Sequence, residues 1–301
     1  MLKMNESNYR SGFIAIVGAP NVGKSTLLNQ ILGQKVSIIS KKPQTTRNRV
    51  SGIYHQPDCQ MIFLDTPGIH KSNRLLNRRM VEIAFATVSD VDILMVVIDT
   101  ANPDEVSEKL LFDQLKSHQN PTILALNKID CMQKEDLLPM IQSYAIKYPF
   151  KAIVPVSAKT GEQVDRLLNE MKAFLPKGPV YYPDDHITDL PERFIASEII
   201  REKIFQLTNK EIPYAVAVTI EQFKEASDGR IIYINGVIHV ERNSQKGIII
   251  GKQGAMLKRI GSRARKEIER MLGVQVMLKL FVKVQKNWAS DEKALASFGY
   301  E

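Results

Sequence analysis

The sequence predicts an α/β domain, a mostly parallel sheet with helices on both faces, followed by a smaller α+β domain. Three observations predict this. From Ser11 to Phe174 short, near-continuous apolar runs alternate with helical patterns, the order expected of strands covered on both faces. Between Pro176 and Pro191 the chain turns rich in proline and glycine and loses its periodicity, as a linker does. Beyond it the order becomes α-β-β-α-α-β. The expected organisation is a first domain over residues 1–175, a linker over 176–191 and a second domain over 192–301.

In the first domain, Phe13–Val17, Gln60–Leu64, Ile93–Ile98, Thr122–Leu126 and Ala152–Val156 read as strands. Between and after them, Lys24–Leu32, Met80–Ser89, Val106–His118, Glu135–Lys147 and Gln163–Leu175 read as helices. In the second domain, Glu192–Thr208 carries apolar residues at helical spacing. Strands follow near Tyr214–Glu225 and Arg230–Arg242, joined at Ser227-Asp228-Gly229, where Asp-Gly signals a hairpin. Next come a Gly-rich turn at 247–254, a basic helix near Ala255–Leu272 and a strand near Gln275–Val284.

Composition narrows the class. The 301 residues are 44% hydrophobic and 25% charged, which excludes a mainly disordered chain. Two cysteines, Cys59 and Cys131, exclude a disulfide scaffold or a cysteine-rich zinc module and fit a reducing cytosol. The polar start, Met1 to Gly12, is not a signal peptide, and the longest apolar runs, such as Val91–Ile98, are strand-sized. Lys and Arg number 41 against 33 Asp and Glu, a net charge of +8 that favours a polyanionic partner.

Gly18-Ala19-Pro20-Asn21-Val22-Gly23-Lys24-Ser25 fits G-x-x-x-x-G-K-S, follows an expected strand and opens an expected helix, with Thr26 next. Backbone N–H groups of such a loop face phosphate oxygens. Lys24 would neutralise β/γ-phosphate charge, and the Ser25 hydroxyl suits Mg²⁺. Asp65-Thr66-Pro67-Gly68 ends the strand about 40 residues after Lys24. Its carboxylate can hold Mg²⁺ through water, and the Gly68 N–H can sense a γ-phosphate. Asn127-Lys128-Ile129-Asp130 follows the next strand but one. The Asp130 carboxylate can accept from guanine N1–H and the exocyclic amine; adenine lacks that donor pair, so the residue selects GTP. Ser157-Ala158-Lys159 would support the base through a backbone N–H.

These four motifs resemble those of the translation-factor-related GTPases over roughly residues 10–175. Together with Pro43-Gln44-Thr45-Thr46-Arg47 and the second domain, the whole chain resembles the Era family of bacterial GTPases. The resemblance implies a P-loop GTPase domain followed by a type II KH domain, a single-stranded RNA-binding module. It implies a GTP/GDP switch with Mg²⁺ that binds 16S rRNA near its 3′ end and assists assembly of the small (30S) ribosomal subunit. A cytoplasmic monomer is expected, with peripheral inner-membrane contact also implied. Gln44–Asn48 would be the first switch. Thr46 is the choice for the hydroxyl that meets Mg²⁺ and the γ-phosphate, with Thr45 as the alternative. Lys24, Thr46 and Gly68 would serve the chemistry. Ras-like GTPases place a water-orienting Gln directly after D-x-x-G; here that position is Ile69, so slow intrinsic turnover is expected. Asn21 makes K⁺ a candidate activator, its other reading being a loop-shaping residue.

The basic excess lies in the second half. Residues 192–301 carry 19 Lys and Arg against 13 Asp and Glu, and twelve of the basic residues fall between Arg242 and Lys286. Within that stretch Ile250-Gly251-Lys252-Gln253-Gly254 resembles the I-G-x-x-G element of KH domains, which clamps about four single-stranded nucleotides. Gly251, Lys252, Gln253, Gly254, Lys258 and Arg259 are the candidate RNA contacts. Arg263, Arg265, Lys266 and Arg270 extend the basic helix, whereas Met256, Leu257, Ile260, Ile268, Met271 and Leu272 are expected in the core. The rival reading is a membrane-associated signalling or scaffold GTPase whose basic domain binds lipid or protein; neither terminus carries a lipidation motif.

Overall fold

The computed structural model describes residues 8–40, 42–72 and 74–300, which divide into two compact units. The first unit holds most of the chain up to Asp189. The second runs from Leu190 onward and includes Ile38–Thr45 and Arg74–Asn77.

The first unit is built on a six-stranded sheet: β1 Arg10–Val17, β2 Val50–Gln56, β3 Cys59–Asp65, β4 Ile93–Asp99, β5 Thr122–Asn127 and β6 Ala152–Val156. The spatial order is β2-β3-β1-β4-β5-β6. All pairs are parallel except β2 with β3. Every residue of β3, β4 and β5 is buried, which is why those strands read as near-continuous apolar runs. The helices are α1 Lys24–Leu32, α2 Leu75–Ser89, α3 Glu105–Leu115, α4 Lys134–Lys147 and α5 Val164–Phe174. All five strands expected from the sequence form.

Strand β2 was not foreseen. Its Val-Ser-Gly-Ile-Tyr-His-Gln is neither a continuous apolar run nor a clean alternation, and it gains its place as an antiparallel edge beside β3. Helix α2 begins five residues before the expected Met80, because the turn Leu75–Arg79 is too polar to show helical periodicity. The stretch after Pro176 lies along β2 and β3 rather than free of them. Gln60 accepts the N–H groups of Tyr181 and Tyr182 at 2.9 and 3.1 Å, and its amide donates to the Tyr182 carbonyl at 2.8 Å.

The second unit packs α6 Glu192–Leu207, α7 Asn243–Ile250 and α8 Ala255–Leu272 on a sheet of β7 Val216–Glu225, β8 Ile231–Val240 and β9 Gln275–Val284. Strands β7 and β8 are antiparallel, β8 and β9 parallel, giving the expected α-β-β-α-α-β order. Ile199, Ile234, Ile238, Ile260, Ala264 and Ile268 form the middle of its core. The expected Gly-rich turn is shorter than 247–254. The chain stays helical through Gly247, since Ile248-Ile249-Ile250 sustains the helix, and turns only at 251–254. A six-residue helix, α9 Glu292–Ser297, went unforeseen; it is capped by Asp291, whose carboxylate accepts from Lys293 and Ala294 N–H at 2.9 and 3.2 Å. In this unit Ile38–Thr45 is fastened along α6. Ile39 N–H donates to Glu202 at 2.9 Å, Arg201 donates to the Thr45 carbonyl at 2.6 Å, and Lys42 donates to the Phe205 and Thr208 carbonyls at the helix C-terminus.

Candidate nucleotide and RNA sites

The loop between β1 and α1 is closed on itself by Lys24. Its ammonium donates to the carbonyls of Gly18 and Ala19 at 3.0 and 2.9 Å and is only 6% exposed. Burial pushes its pKa down to about 8, partly opposed by the nearby Asp65 carboxylate. An ammonium held this way is available to phosphate oxygens, which would restore the charge that burial weakens. Asn21 sits at φ +64° and is exposed. Left-handed backbone is a conformation that asparagine tolerates well, which fits the loop-shaping reading of this residue. Val22 is buried and Thr26 lies in the first turn of α1.

Three oxygen-bearing side chains converge beside this loop. Ser25 Oγ donates to Asp65 Oδ2 at 2.6 Å and lies 2.9 Å from Thr46 Oγ1. Thr45 Oγ1 is turned away and donates to the Lys42 carbonyl at 2.8 Å, so of the two threonines it is Thr46 that meets Ser25. Asp65 is fully buried. Burial pushes its pKa up, opposed by Lys24 and by hydroxyls including Ser25 and Ser37. Its Oδ1 has no hydrogen-bond partner among the described residues. Two hydroxyls and a carboxylate with an unpaired buried oxygen form a hard donor set that fits Mg²⁺. Ser37 escaped the sequence reading. It is buried, donates to Asp65 Oδ2 at 2.9 Å, and is held by Asn29, which accepts the N–H groups of Val36 and Ser37 at 2.9 Å each. No recognised spacing ties Ser37 to Asp65, so only the fold reveals it.

The segment after Asp65 is pressed onto the phosphate loop. Thr66 Oγ1 donates to the Ile16 carbonyl at 2.8 Å, Pro67 follows, and Ile69 N–H donates to the Gly18 carbonyl at 3.0 Å. A Cβ on Gly68 would lie 2.7 Å from Pro20 Cα and 2.8 Å from Pro20 N. Only glycine permits that approach. Ile69 is wholly buried in the apolar core, so it offers an attacking water nothing. His70 Nδ1 lies 2.9 Å from the Gly68 carbonyl.

Asn127 ties the remaining parts together. Its amide donates to the Val22 carbonyl at 2.7 Å, and its carbonyl accepts Ala158 N–H at 2.9 Å. One side chain thus joins the phosphate loop to the base-recognition segments. Ser157 Oγ donates to Asp130 Oδ1 at 2.7 Å, and this bond holds the Asp130 carboxyl below the usual carboxylate range. Lys159 lies 3.7 Å from the same carboxylate. Lys128 adopts left-handed backbone and pairs with Asp99 at 2.5 Å. The Ala158 N–H is already engaged, whereas that of Lys159 makes no backbone hydrogen bond among the described residues and is the one open to a guanine carbonyl.

In the second unit, Gly251 ends α7 at φ +71°, where a Cβ would lie 2.7 Å from Met256 Cβ. Gly254, at φ +78°, caps the start of α8. Lys252 and Gln253 project from the turn between them, exposed. Lys258, Arg259, Arg263, Arg265, Lys266 and Arg270 are all exposed along α8, while Ile260 and Ile268 are buried and Met256, Leu257, Met271 and Leu272 pack on the core. The turn presents backbone at a helix N-terminus beside a cationic helix face, an arrangement suited to phosphodiester.

Known proteins resemble the chain over this whole architecture. Residues 13–128 match the family described as 50S ribosome-binding GTPase, and residues 211–289 match the KH domain family. The chain is 52% identical over 298 residues to GTPase Era of Geotalea uraniireducens (strain Rf4), covering 99% of this chain and 100% of that protein. It is 51% identical over 297 residues to GTPase Era of Geobacter metallireducens (strain ATCC 53774 / DSM 7210 / GS-15), with the same coverage. Among solved structures, Era in complex with MgGDPNP and nucleotides 1506–1542 of 16S ribosomal RNA matches with a TM-score of 0.93 and 43% identity, over 97% of this chain and 99% of that one. A single-residue variant of Aquifex aeolicus Era bound to GDP·AlF4⁻ matches with the same score, identity and coverage.

Proposed function

The chain belongs to the Era family of GTPases, and from that membership we propose how its residues carry the family's work. The protein binds and hydrolyses GTP, with Mg²⁺, in its first domain, and binds 16S rRNA near its 3′ end through its KH domain. The observation that carries this is the near-full-length match to a relative that holds MgGDPNP and a 16S rRNA fragment together. The description naming the 50S ribosome belongs to a match confined to residues 13–128, short of the RNA-binding half. Among the described residues no helix is long and apolar enough to cross a membrane. The full-length likeness favours the ribosomal reading over the membrane-scaffold one, and an rRNA partner fits work in the cytoplasm.

At the nucleotide site we assign Lys24 as counterion to the β/γ-phosphates. Ser25, Thr46 and Asp65 would hold Mg²⁺, which when bound offsets charge building on the transferring phosphoryl group. Gly68 N–H would meet the γ-phosphate, so GTP, and not GDP, would hold the second switch against the phosphate loop. Asp130 would read guanine, steadied by Ser157 and Lys159, with Asn127 fixing the loops around it. With Ile69 at the position that orients water in Ras-like enzymes, intrinsic turnover would be slow. In the KH domain, residues 251–254 with Lys258 and Arg259 would grip the RNA backbone. We further propose a role in small-subunit assembly, in which GTP favours the RNA-engaged state and hydrolysis releases it. Co-sedimentation with purified small ribosomal subunits tests this. Binding should require intact RNA and depend on GTP against GDP; binding indifferent to both would overturn it.

A further inference from the structure

The KH sheet has two faces. Ile232, Ile234, Ile238 and Val276 point into the core beneath the helices. Alternate residues point the other way, and that outer face is only partly covered. At one end Phe298, just after α9, lays its ring on His239, with centroids 4.5 Å apart. At the other end Tyr233, Met277 and Phe281 stand in solvent, at 38%, 50% and 55% exposure. The register sets Tyr233 opposite both Lys224 and Met277, Asn235 opposite Lys279, Val237 opposite Phe281 and His239 opposite Lys283. Lys224, Lys279 and Lys283 are exposed. Neither β8 nor β9 contains an Asp or Glu; the acidic residues of this sheet are Glu221 and Glu225, on β7. Where β9 starts, an open cavity of about 740 Å³ is lined by Tyr233 and Met277 from the sheet and by Arg265 and Arg270 from α8. Its one carboxylate, Glu269, accepts Val276 N–H at 3.1 Å and lies 3.9 Å from Arg265.

We propose that this outer face is a second single-stranded RNA surface, in which Tyr233 and Phe281 stack bases while Lys224, Lys279, Lys283 and the arginines of the cavity meet phosphates. The charge decides the class of partner. Aromatic rings set among cations, on strands without carboxylates, match a polyanion with π-faces. A protein-binding patch of this size would be depleted in lysine at its centre. Tyr233 and Phe281 stand four residues apart along the sheet, about 13 Å, with Lys279 midway. The surface is separate from the 251–254 turn. That turn opens α8 and the cavity lies at its far end, about 27 Å away for 18 residues. A strand held by the turn reaches the cavity end of the face, where Tyr233 and Met277 lie, only if it is long.

This inference rests on RNA binding by the KH domain, and the experiment separates the two. The full chain is titrated with segments of the 16S rRNA 3′ end of about 4 and about 18 nucleotides, the first no longer than the stretch the turn clamps and the second long enough to exceed the ~27 Å span. Wild type should bind the longer probe more tightly. Tyr233→Ala with Phe281→Ala should lose about tenfold or more on the long probe and nothing on the short one. Tyr233→Phe with Phe281→Tyr should keep both affinities. If the alanine pair is misfolded by thermal melt, Lys279→Glu with Lys283→Glu serves instead, with the same selective loss expected. Cross-linking of a 4-thiouridine-substituted long probe should label peptides containing Tyr233 or Phe281. Wild-type affinity of these variants for the long probe, or cross-links confined to the 251–254 turn, would overturn the proposal and leave the face to a protein partner. Gly251→Asp with Gly254→Asp should lose the short probe; failure of wild type to bind either probe would instead overturn the RNA-binding reading itself.

Discussion

Replacing Gly68 by alanine tests whether the contact between the second switch and the phosphate loop is required for turnover. The new Cβ would lie 2.7, 2.8 and 2.9 Å from Pro20 Cα, N and Cγ. Ordinary carbon contacts begin near ~3.5 Å, so the two segments must part by about 0.8 Å. Two of the three atoms are backbone and cannot rotate away. Overpacking of this kind costs about 1–3 kcal/mol. Loss of the Ile69 N–H bond to the Gly18 carbonyl, 3.0 Å long, adds about 0.5–1.5 kcal/mol. The closed arrangement is then disfavoured by about 1.5–4.5 kcal/mol, which converts to roughly 10- to 1,600-fold at ~1.4 kcal/mol per decade. Single-turnover GTP hydrolysis should fall by that factor. Affinity for GDP, which needs the loop and the base site but not the switch contact, should stay within about threefold. Turnover within threefold of wild type would refute the reasoning, because it would show that Gly68 need not approach Pro20 during the reaction.

Three further outcomes follow from the same site. Burial lowers the Lys24 pKa to about 8, so the free protein loses this charge as pH rises through 8, while bound phosphates restore it. Nucleotide affinity should hold steady below pH 8 and weaken above it, and calorimetry in buffers of different ionisation heat should show proton uptake at pH 9 but not at pH 7. Asp130→Asn should cost GTP two charge-assisted bonds, about 3–6 kcal/mol together, and shift preference to XTP while the Ser157 bond persists; competition binding that still favours GTP would remove Asp130 from base recognition. Exchange of K⁺ for Na⁺ should slow turnover if Asn21 helps bind K⁺, whereas equal rates would leave Asn21 its loop-shaping role alone.

What the sequence revealed and what it hid divide along physical lines. Strands β3, β4 and β5 were legible because burial on both faces demands continuous apolar residues, and that demand is local. Strand β2 was not, since an edge strand pays little for Ser51 or His55 and takes its identity from β3. The phosphate and base motifs were legible because each is a short loop at the end of a buried strand. Asn127 looked like one letter of a base-reading signature; the fold shows it bonding to Val22 and Ala158, 105 and 31 residues away. Likewise Ser37 and Asn29 support Asp65 across 28 and more residues, a distance at which spacing carries no signal. The choice between Thr45 and Thr46 needed the backbone: neighbouring residues point apart, and only one hydroxyl can face Ser25.

Asp65 shows how this site stores its demand for a cation. Its carboxylate is fully buried, Ser25 and Ser37 both donate to Oδ2, and Oδ1 has no partner among the described residues. An unmatched buried polar atom costs about 1–3 kcal/mol, more when charged, and burial raises the pKa accordingly. The sign follows. A raised carboxylate pKa means that the folded state takes up a proton more readily than the unfolded one. The penalty is therefore present above the folded pKa and relieved as pH falls through it. A divalent cation relieves the same penalty without a proton, so metal binding and folding are linked. Asp65→Asn removes the charge at nearly constant shape. Without metal or nucleotide, that variant should melt no lower than wild type at neutral pH. Added Mg²⁺ with GTP should then raise its melting midpoint far less than it raises that of wild type. A metal-free midpoint several degrees below wild type would mean that the ionised carboxylate stabilises the empty site, through Lys24 and the hydroxyls, and that the cation completes an arrangement already satisfied.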